Sequence, residues 1–240
     1  MGSHWVGMGK DLMAIPIFHQ SILKCTQALK PYNIDPYAIL MKAAEDSFAE
    51  TLPTMVCTAA VQIALADLLK AVGLEADGII GHSAGETLAA YVDGALSLEE
   101  AIRVAYECGR CVSRRRRVTV ACNNGKDSVT VSGRREAVLQ MREQLQVEGV
   151  FMKLVPTHNV AFHSKDLELS KDKMLHAFRQ VLPKPRPRSE RWLSTSIPES
   201  EWATEQGRTV SAEYHVNNIL SPVLFYEALL KIPPNAVTVE

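Results

Sequence analysis

Ser83 stands between Gly81 and Gly85 in the stretch GIIGHSAGE, residues 78–86, and a hydroxyl in that setting is a candidate nucleophile. The G-x-S-x-G pattern alone is weak, because Gly and Ser at about 7% each produce it by accident in roughly 8% of chains of this size. Its surroundings strengthen it. An apolar run leads into Gly81 and a helix-forming run leaves from Gly85, the strand–turn–helix setting that exposes a serine over a helix N-terminus. The backbone N–H of Ala84 would then be placed to hold an oxyanion. A glycine-rich turn without chemistry is the competing reading of the pattern on its own.

A serine hydroxyl is a poor nucleophile until a base takes its proton. Seven histidines are available: His4, His19, His82, His158, His163, His176 and His215. His19 and His176 fall in helical stretches, and His82 adjoins Ser83, where the turn directs it away from the hydroxyl. His163, in NVAFHSKD, follows an apolar pair in a loop and is a plausible base. Sequence spacing does not bring it to Ser83, and for any one loop histidine a solvated or packed ring is the better expectation. Cys108 and Cys111 form a C-x-x-C within one helical run, but no second pair accompanies them, so no metal site is expected.

The elements that must position these groups follow from composition and periodicity. The chain has 240 residues, 47% hydrophobic and 22% charged, with a formal net charge of -1. That balance suits a globular core and creates no field for nucleic acid or an anionic membrane. No apolar run is read as long enough to span a bilayer, and no signal-peptide pattern opens the chain. Five scattered cysteines suggest free thiols in a reducing, cytoplasmic setting.

Residues 53–73 carry apolar positions at helical spacing and close on Gly73; ADGIIGHS then reads as a short strand and AGETLAAYVDG as a helix. SLEEAIRVAYECGRC opens with Ser97 and Glu100, a capping-box pair. This alternation predicts an α/β fold with a parallel, doubly wound sheet. Beyond Arg117 the pattern changes: VTVACNN and SVTVSG read as a hairpin, REAVLQMREQLQVEG as a helix and VFMKLVPT as a third strand. That order predicts a small ferredoxin-like insert over 114–157, set into a larger subdomain of 1–113 and 158–240. KDLELSKDKMLHAFRQVL returns to a long helix, and WLSTS, SPVLFYEALLKI and NAVTVE complete the larger part. The Arg114–Arg117 run reads as a solvated junction or as a basic rim facing phosphates or an acidic partner, rather than as a nucleic-acid or nuclear-targeting signal.

Several separate stretches, taken in order, carry a resemblance. GHSAGE, AFHS eighty residues later, RWLSTSIPES and AEYHVNNILSPVLF, with the opening MGSHWVGMGKDLM, closely resemble the malonyl/acetyl-transferase domain of animal-type fatty acid synthase. The resemblance covers nearly the whole chain. It implies an α/β-hydrolase-like large subdomain with an inserted ferredoxin-like one. It also implies transfer of malonyl or acetyl groups from coenzyme A to the phosphopantetheine thiol of an acyl carrier protein. Ser83 resembles the nucleophile, His163 the general base, and the main-chain carbonyl of Asn218 the group orienting the imidazole. Ala84 and Met1 resemble the two oxyanion donors, through their backbone N–H groups, and Phe162 the acyl-pocket aromatic, with His82 beside the substrate. No tightly bound cofactor or metal is implied. The expected partners are malonyl- or acetyl-coenzyme A, the carrier protein, and the ketosynthase and linker of the same synthase, with neither nucleic acid nor membrane.

The chain departs from that family at informative places. The family's arginine, which holds the malonyl carboxylate, is replaced here by Cys108, and Arg110 lies two residues on, toward another helix face. A weakened hold on malonyl relative to neutral acyl groups is therefore expected. The family's glutamine in the opening loop is His4. Residues present in the family before VTVACNN are missing, which predicts a small sheet one strand short. The family also continues past VTVE, so a fragment or shortened form of a longer chain is expected. Two other functions compete: a non-catalytic remnant that keeps the fold as a structural or carrier-docking surface, and a serine hydrolase of thioesters.

Overall fold

The computed structural model describes residues 4–42, 44–112, 118–158 and 160–239. Helices α1 (Pro16–Leu29), α2 (Pro36–Lys42) and α3 (Thr51–Ala71) open the fold. Pro16 and Pro36 each occupy the first helical position, where the missing N–H costs nothing and the fixed φ favours the helix. α3 has 21 residues and a mean hydropathy of 1.6 in its most apolar window. By length and composition it could cross a membrane, which corrects the expectation that no run is long enough. Its apolar residues are explained by its surroundings: it packs against α1, α2 and α4, and against the helix that follows them, so it is buried on several sides. Val56, Cys57, Ala60, Ile63 and Ala64 are all buried there.

A two-residue strand, β1 (Ile79–Ile80), leads through the Ser83 turn into α4 (Gly85–Val92) and then α5 (Leu98–Cys111). The capping box read from sequence is formed. Ser97 Oγ accepts from the Glu100 N–H at 3.2 Å, and a Glu100 carboxylate oxygen accepts from the Ser97 N–H at 2.8 Å. α5 packs on α3 so closely that a Cβ on Gly109 would lie 2.9 Å from the Leu52 Cα.

The hairpin also forms, from β2 (Thr119–Gly125) and β3 (Ser128–Ser132), followed by α6 (Arg135–Val147). The third strand expected over 150–157 does not form; those residues have no regular structure. The sheet here has the order β3-β2-β7, and the segment adds a strand to neither edge, so it has no backbone ladder to hold it extended. Phe151 is accordingly 87% exposed, and α6 buries none of its residues completely.

The chain then returns to the larger part. The long helix expected over 165–182 is divided into a 3-10 stretch, Lys165–Ser170, and α7 (Lys171–Val181). Short strands β4 (Arg186–Pro187) and β5 (Trp192–Leu193) precede α8 (Glu205–Arg208), β6 (Thr209–Val210), α9 (Ala212–Leu220), β7 (Val223–Leu224) and α10 (Phe225–Leu229). β5 lies parallel to β1, pairing Ile79 with Trp192 and Ile80 with Leu193. β7 lies parallel to β2, with Cys122 opposite Val223, and so ties the inserted hairpin to the larger part. β4 and β6 pair antiparallel. The molecule is thus α/β, with a parallel pair under the Ser83 turn and helices around it. Trp192, Tyr214, Phe18 and Phe178 are the largest fully buried side chains.

Because the capping box satisfies two helix-end donors at once, Ser97→Ala should cost about 1 kcal/mol and lower Tm by roughly 2–4 °C in a thermal melt.

Candidate active site

The turn between β1 and α4 fixes the serine. Ser83 has φ 56°, a left-handed conformation that costs a non-glycine residue energy and is kept only where its surroundings enforce it. Gly81 allows the chain to double back: a Cβ there would lie 2.6 Å from the Glu86 nitrogen and the Gly85 carbonyl. Gly85 has open space around its own Cβ position. The Gly85 and Glu86 N–H groups bond to His82 and Ser83 carbonyls at 2.9 and 3.0 Å, closing the first turn of α4. The Ala84 N–H has no acceptor among the described residues and sits at the positive end of α4.

The structure brings His163 to this serine across eighty residues. Ser83 Oγ and His163 Nε2 are 2.6 Å apart, and His163 Nδ1 is 2.9 Å from the Ser221 carbonyl. A carbonyl only accepts, so Nδ1 carries the proton and Nε2 presents its lone pair to the serine hydroxyl. The ring is buried, and burial pushes its pKa down to about 4, so it is neutral at pH 7. Its backbone is also left-handed, φ 56°, and its N–H donates to the Ile219 carbonyl at 3.0 Å.

The orienting group differs from the expected one. Ser221 rather than Asn218 accepts the Nδ1 hydrogen bond in good geometry, while the Asn218 carbonyl lies near the ring as a lesser acceptor. The reason is the end of α9: the Ser221 N–H closes the last helical bond, to the Asn217 carbonyl at 2.8 Å, and the chain then turns extended before Pro222, which presents the Ser221 carbonyl to the ring. Asn218 acts elsewhere, donating its side-chain N–H to the Ser83 carbonyl at 2.8 Å.

Beneath the turn lies Glu86, fully buried, which accepts from the Tyr214 hydroxyl and from the Thr195 N–H at 3.2 Å. Burial raises its pKa. Thr195 Oγ1 also donates to the Gly81 carbonyl at 2.8 Å. These bonds tie the turn to β5 and α9.

Ser83 and His163 open onto a cleft of ≈1970 Å³ that reaches out to the hairpin and residues 150–157. Phe162, His82 and Cys108 line it. His82 Nε2 lies 2.7 Å from Asn124 Oδ1 of the hairpin, and its ring meets Phe225 edge-on. Arg110 does not reach the cleft: its guanidinium pairs with Glu107 at 2.6 and 2.9 Å, one helix turn away on its own face. Cys108 is buried, and burial pushes its thiol pKa up to about 12, so it brings no charge. Met1 and the Arg114–Arg117 run lie outside the described residues. Among the described residues, no group of three or more His, Cys, Asp and Glu could hold a metal ion.

A serine on a strained turn between strand and helix, paired with a neutral histidine that a carbonyl orients, is suited to acyl transfer, and the comparisons agree. A family profile described as "Acyl transferase domain" matches residues 1–240. The chain belongs to the acyl transferase domain family. This acyl transferase domain is 31% identical over 264 residues to a highly reducing polyketide synthase of Emericella nidulans, covering 95% of the chain and 10% of the relative. It is also 31% identical over 261 residues to the squalestatin tetraketide synthase of a Phoma species, covering 95% and 10%. It therefore spans about a tenth of the length of these curated relatives. Among solved structures, it is similar to a loading acyltransferase from the avermectin modular polyketide synthase, with TM-score 0.79 and 28% identity, covering 95% of this chain and 80% of that one. The acyltransferase domain of PpsC from Mycobacterium tuberculosis shares the fold, with TM-score 0.84 and 22% identity over 95% of this chain and 76% of that one.

Three contributors escaped the sequence reading. Ser221 acts through its carbonyl, which no residue type announces. Glu86, in the first turn of α4, carries the ordinary signature of an exposed residue complementing the helix dipole. His215 lines the cleft from α9, and nothing in its spacing sets it apart from the other histidines.

Gly81→Ala should cost about 1–3 kcal/mol through steric conflict with the backbone and depress Tm accordingly. Gly85→Ala, at the start of α4 with free space, should stay within about 1 kcal/mol of the parent protein. Because Nε2 must be unprotonated to take the serine proton, acyl loading of Ser83 should persist as pH falls and fail only near pH 4. A pH–rate profile with a limb at the ordinary histidine value of about 6.5 would contradict this.

Proposed function

We propose that this domain transfers an acyl group from coenzyme A to the phosphopantetheine thiol of an acyl carrier protein, by way of an ester on Ser83. The supporting observation is the 2.6 Å contact between Ser83 Oγ and a neutral His163 whose other nitrogen is held by a carbonyl. His163 Nε2 takes the hydroxyl proton as Oγ bonds to the thioester carbon. The Ala84 N–H, at the head of α4, faces the developing oxyanion. The C–S bond then breaks, and the coenzyme A thiolate leaves with the proton from Nε2. In the second half the carrier thiol gives its proton to His163 and attacks the ester. The C–O bond breaks, and Ser83 recovers its proton. Met1, by the family resemblance, would supply the second oxyanion N–H.

By the resemblance of its motifs, the parent chain would be an animal-type fatty acid synthase, read as a cytoplasmic multienzyme whose carrier protein, ketosynthase and linker would be the partners. The polyketide synthase relatives support acyl transfer within a large multidomain chain. In this reading, residues 1–113 and 158–240 form the catalytic subdomain and 114–157 the inserted one. Phe162, His82 and Asn218 complete the substrate side. With Cys108 uncharged and Arg110 held by Glu107, neither offers a malonyl carboxylate the cation expected at this place on α5, which favours neutral acyl groups. The pre-formed serine–histidine pair weighs against a non-catalytic remnant.

Incubation with radiolabelled acetyl- and malonyl-coenzyme A tests this. Acetyl should label the protein at least as fast as malonyl, and the label should pass to holo carrier protein. Ser83→Ala should abolish labelling while leaving the melting curve intact. Release of free acid instead of carrier loading would indicate a hydrolase, and no label would indicate a remnant.

A further inference from the structure

The direction of the His163 ring rests on one carbonyl, that of Ser221, and so on whatever holds Ser221 in place. A helix does not fix its own last carbonyls, which have no partner further along it. Part of the restraint is local. Ser221 precedes Pro222, whose ring disfavours a helical residue before it, and Ser221 is extended, with φ -87° and ψ 155°. The rest comes from a side chain on the preceding turn of α9.

Asn217 holds Ser221 twice. Its main-chain carbonyl accepts from the Ser221 N–H at 2.8 Å, and its Oδ1 accepts from the Ser221 hydroxyl at 2.8 Å. Its side-chain amide nitrogen reaches the other way, donating to the Ser196 carbonyl at 2.8 Å and to Ser196 Oγ at 3.1 Å. Ser196 is buried and lies just beyond β5, the strand paired with β1, which leads into the Ser83 turn. One amide therefore spans from the strand side of the site to the residue whose carbonyl accepts the His163 Nδ1–H at 2.9 Å. Without it the Ser221 hydroxyl is released, and the carbonyl on the same residue keeps only its local restraint. The neighbouring Asn218 points elsewhere and bonds the Ser83 carbonyl at 2.8 Å. Two adjacent asparagines thus serve opposite members of the pair, Asn218 the nucleophile turn and Asn217 the base. The direction of the imidazole matters because its Nε2 lone pair must face the serine hydroxyl when the proton moves.

Resting on the acyl-transfer reading, we propose that Asn217 is a positioning residue of this site, which holds Ser221 so that its carbonyl keeps the His163 ring aimed at Ser83.

The test is single-turnover loading of Ser83 from acetyl-coenzyme A, followed by intact-protein mass spectrometry. Asn217→Ala and Ser221→Ala should each slow the limiting loading rate about five- to tenfold, the worth of a net hydrogen bond, with the half-saturating acetyl-coenzyme A concentration unchanged. Ser221→Thr, which keeps the hydroxyl, should load at close to the parent rate. The double variant Asn217→Ala/Ser221→Ala should be no slower than Asn217→Ala alone, because the second substitution removes a bond that the first has already broken. Partial unfolding of a variant lowers the amplitude of loading and not its rate constant. A second readout needs no substrate. In nitrogen NMR spectra the His163 ring should be the Nδ1-protonated tautomer in the parent protein and a mixture of tautomers in both alanine variants. Parent-like rates in the single variants, or slowing that multiplies in the double variant, would overturn the inference and leave acyl transfer standing. No adduct on the parent protein would overturn the acyl-transfer reading instead. The ring signal would then decide this inference, and an unchanged tautomer in both alanine variants would overturn it.

Discussion

A buried carboxyl holds the two halves of the candidate site together. Glu86 follows the nucleophile turn by three residues, yet its bonds go to Tyr214 on α9 and Thr195 beyond β5. α9 ends in the residues that hold His163, through the Ser221 carbonyl and the Ile219 carbonyl. The serine and the base are thus placed by elements locked to one another, and the locking group is a fully buried polar one. Such a group keeps its position because any displacement leaves donors and acceptors unpaired.

The strain in the turn fits this arrangement. Ser83 and His163 both adopt left-handed backbone conformations, and each is held by main-chain hydrogen bonds as well as by the other's side chain. Neither residue gains from that conformation on its own. Parallel pairing of β1 and β5, close packing at Gly81, and the Asn218 bond to the Ser83 carbonyl supply the restraint.

The inserted part is built on weaker terms. Its small core contains Ala121, Cys122 and Val223, and α6 adds no fully buried side chain. The hairpin is secured by β7 and by the His82–Asn124 contact beside the nucleophile. Residues 150–157, mostly apolar and without regular structure, line the cleft instead of closing a sheet. The cleft is lined on one side by the insert and on the other by buried residues of α5 and α9, Cys108 and Asn218 among them.

What the sequence determined alone was local. Periodicity placed α3, α5 and α6, the Ser97–Glu100 pair marked a helix start, and the glycine spacing around Ser83 marked a strained turn, since each depends on residues close in the chain. The family motifs named His163 as well. Tertiary structure decided whatever joins distant segments or uses the backbone: the approach of His163 to Ser83, the Ser221 carbonyl in the place expected of Asn218, and the withdrawal of Arg110 to Glu107. It also decided that VFMKLVPT, strand-like by composition, remains irregular, because a strand is stabilised by its neighbour and the neighbour is not in its sequence. The hold of Asn217 on Ser221 belongs to the same class: both residue types are written in the chain, but the ring that the Ser221 carbonyl meets is brought there only in three dimensions.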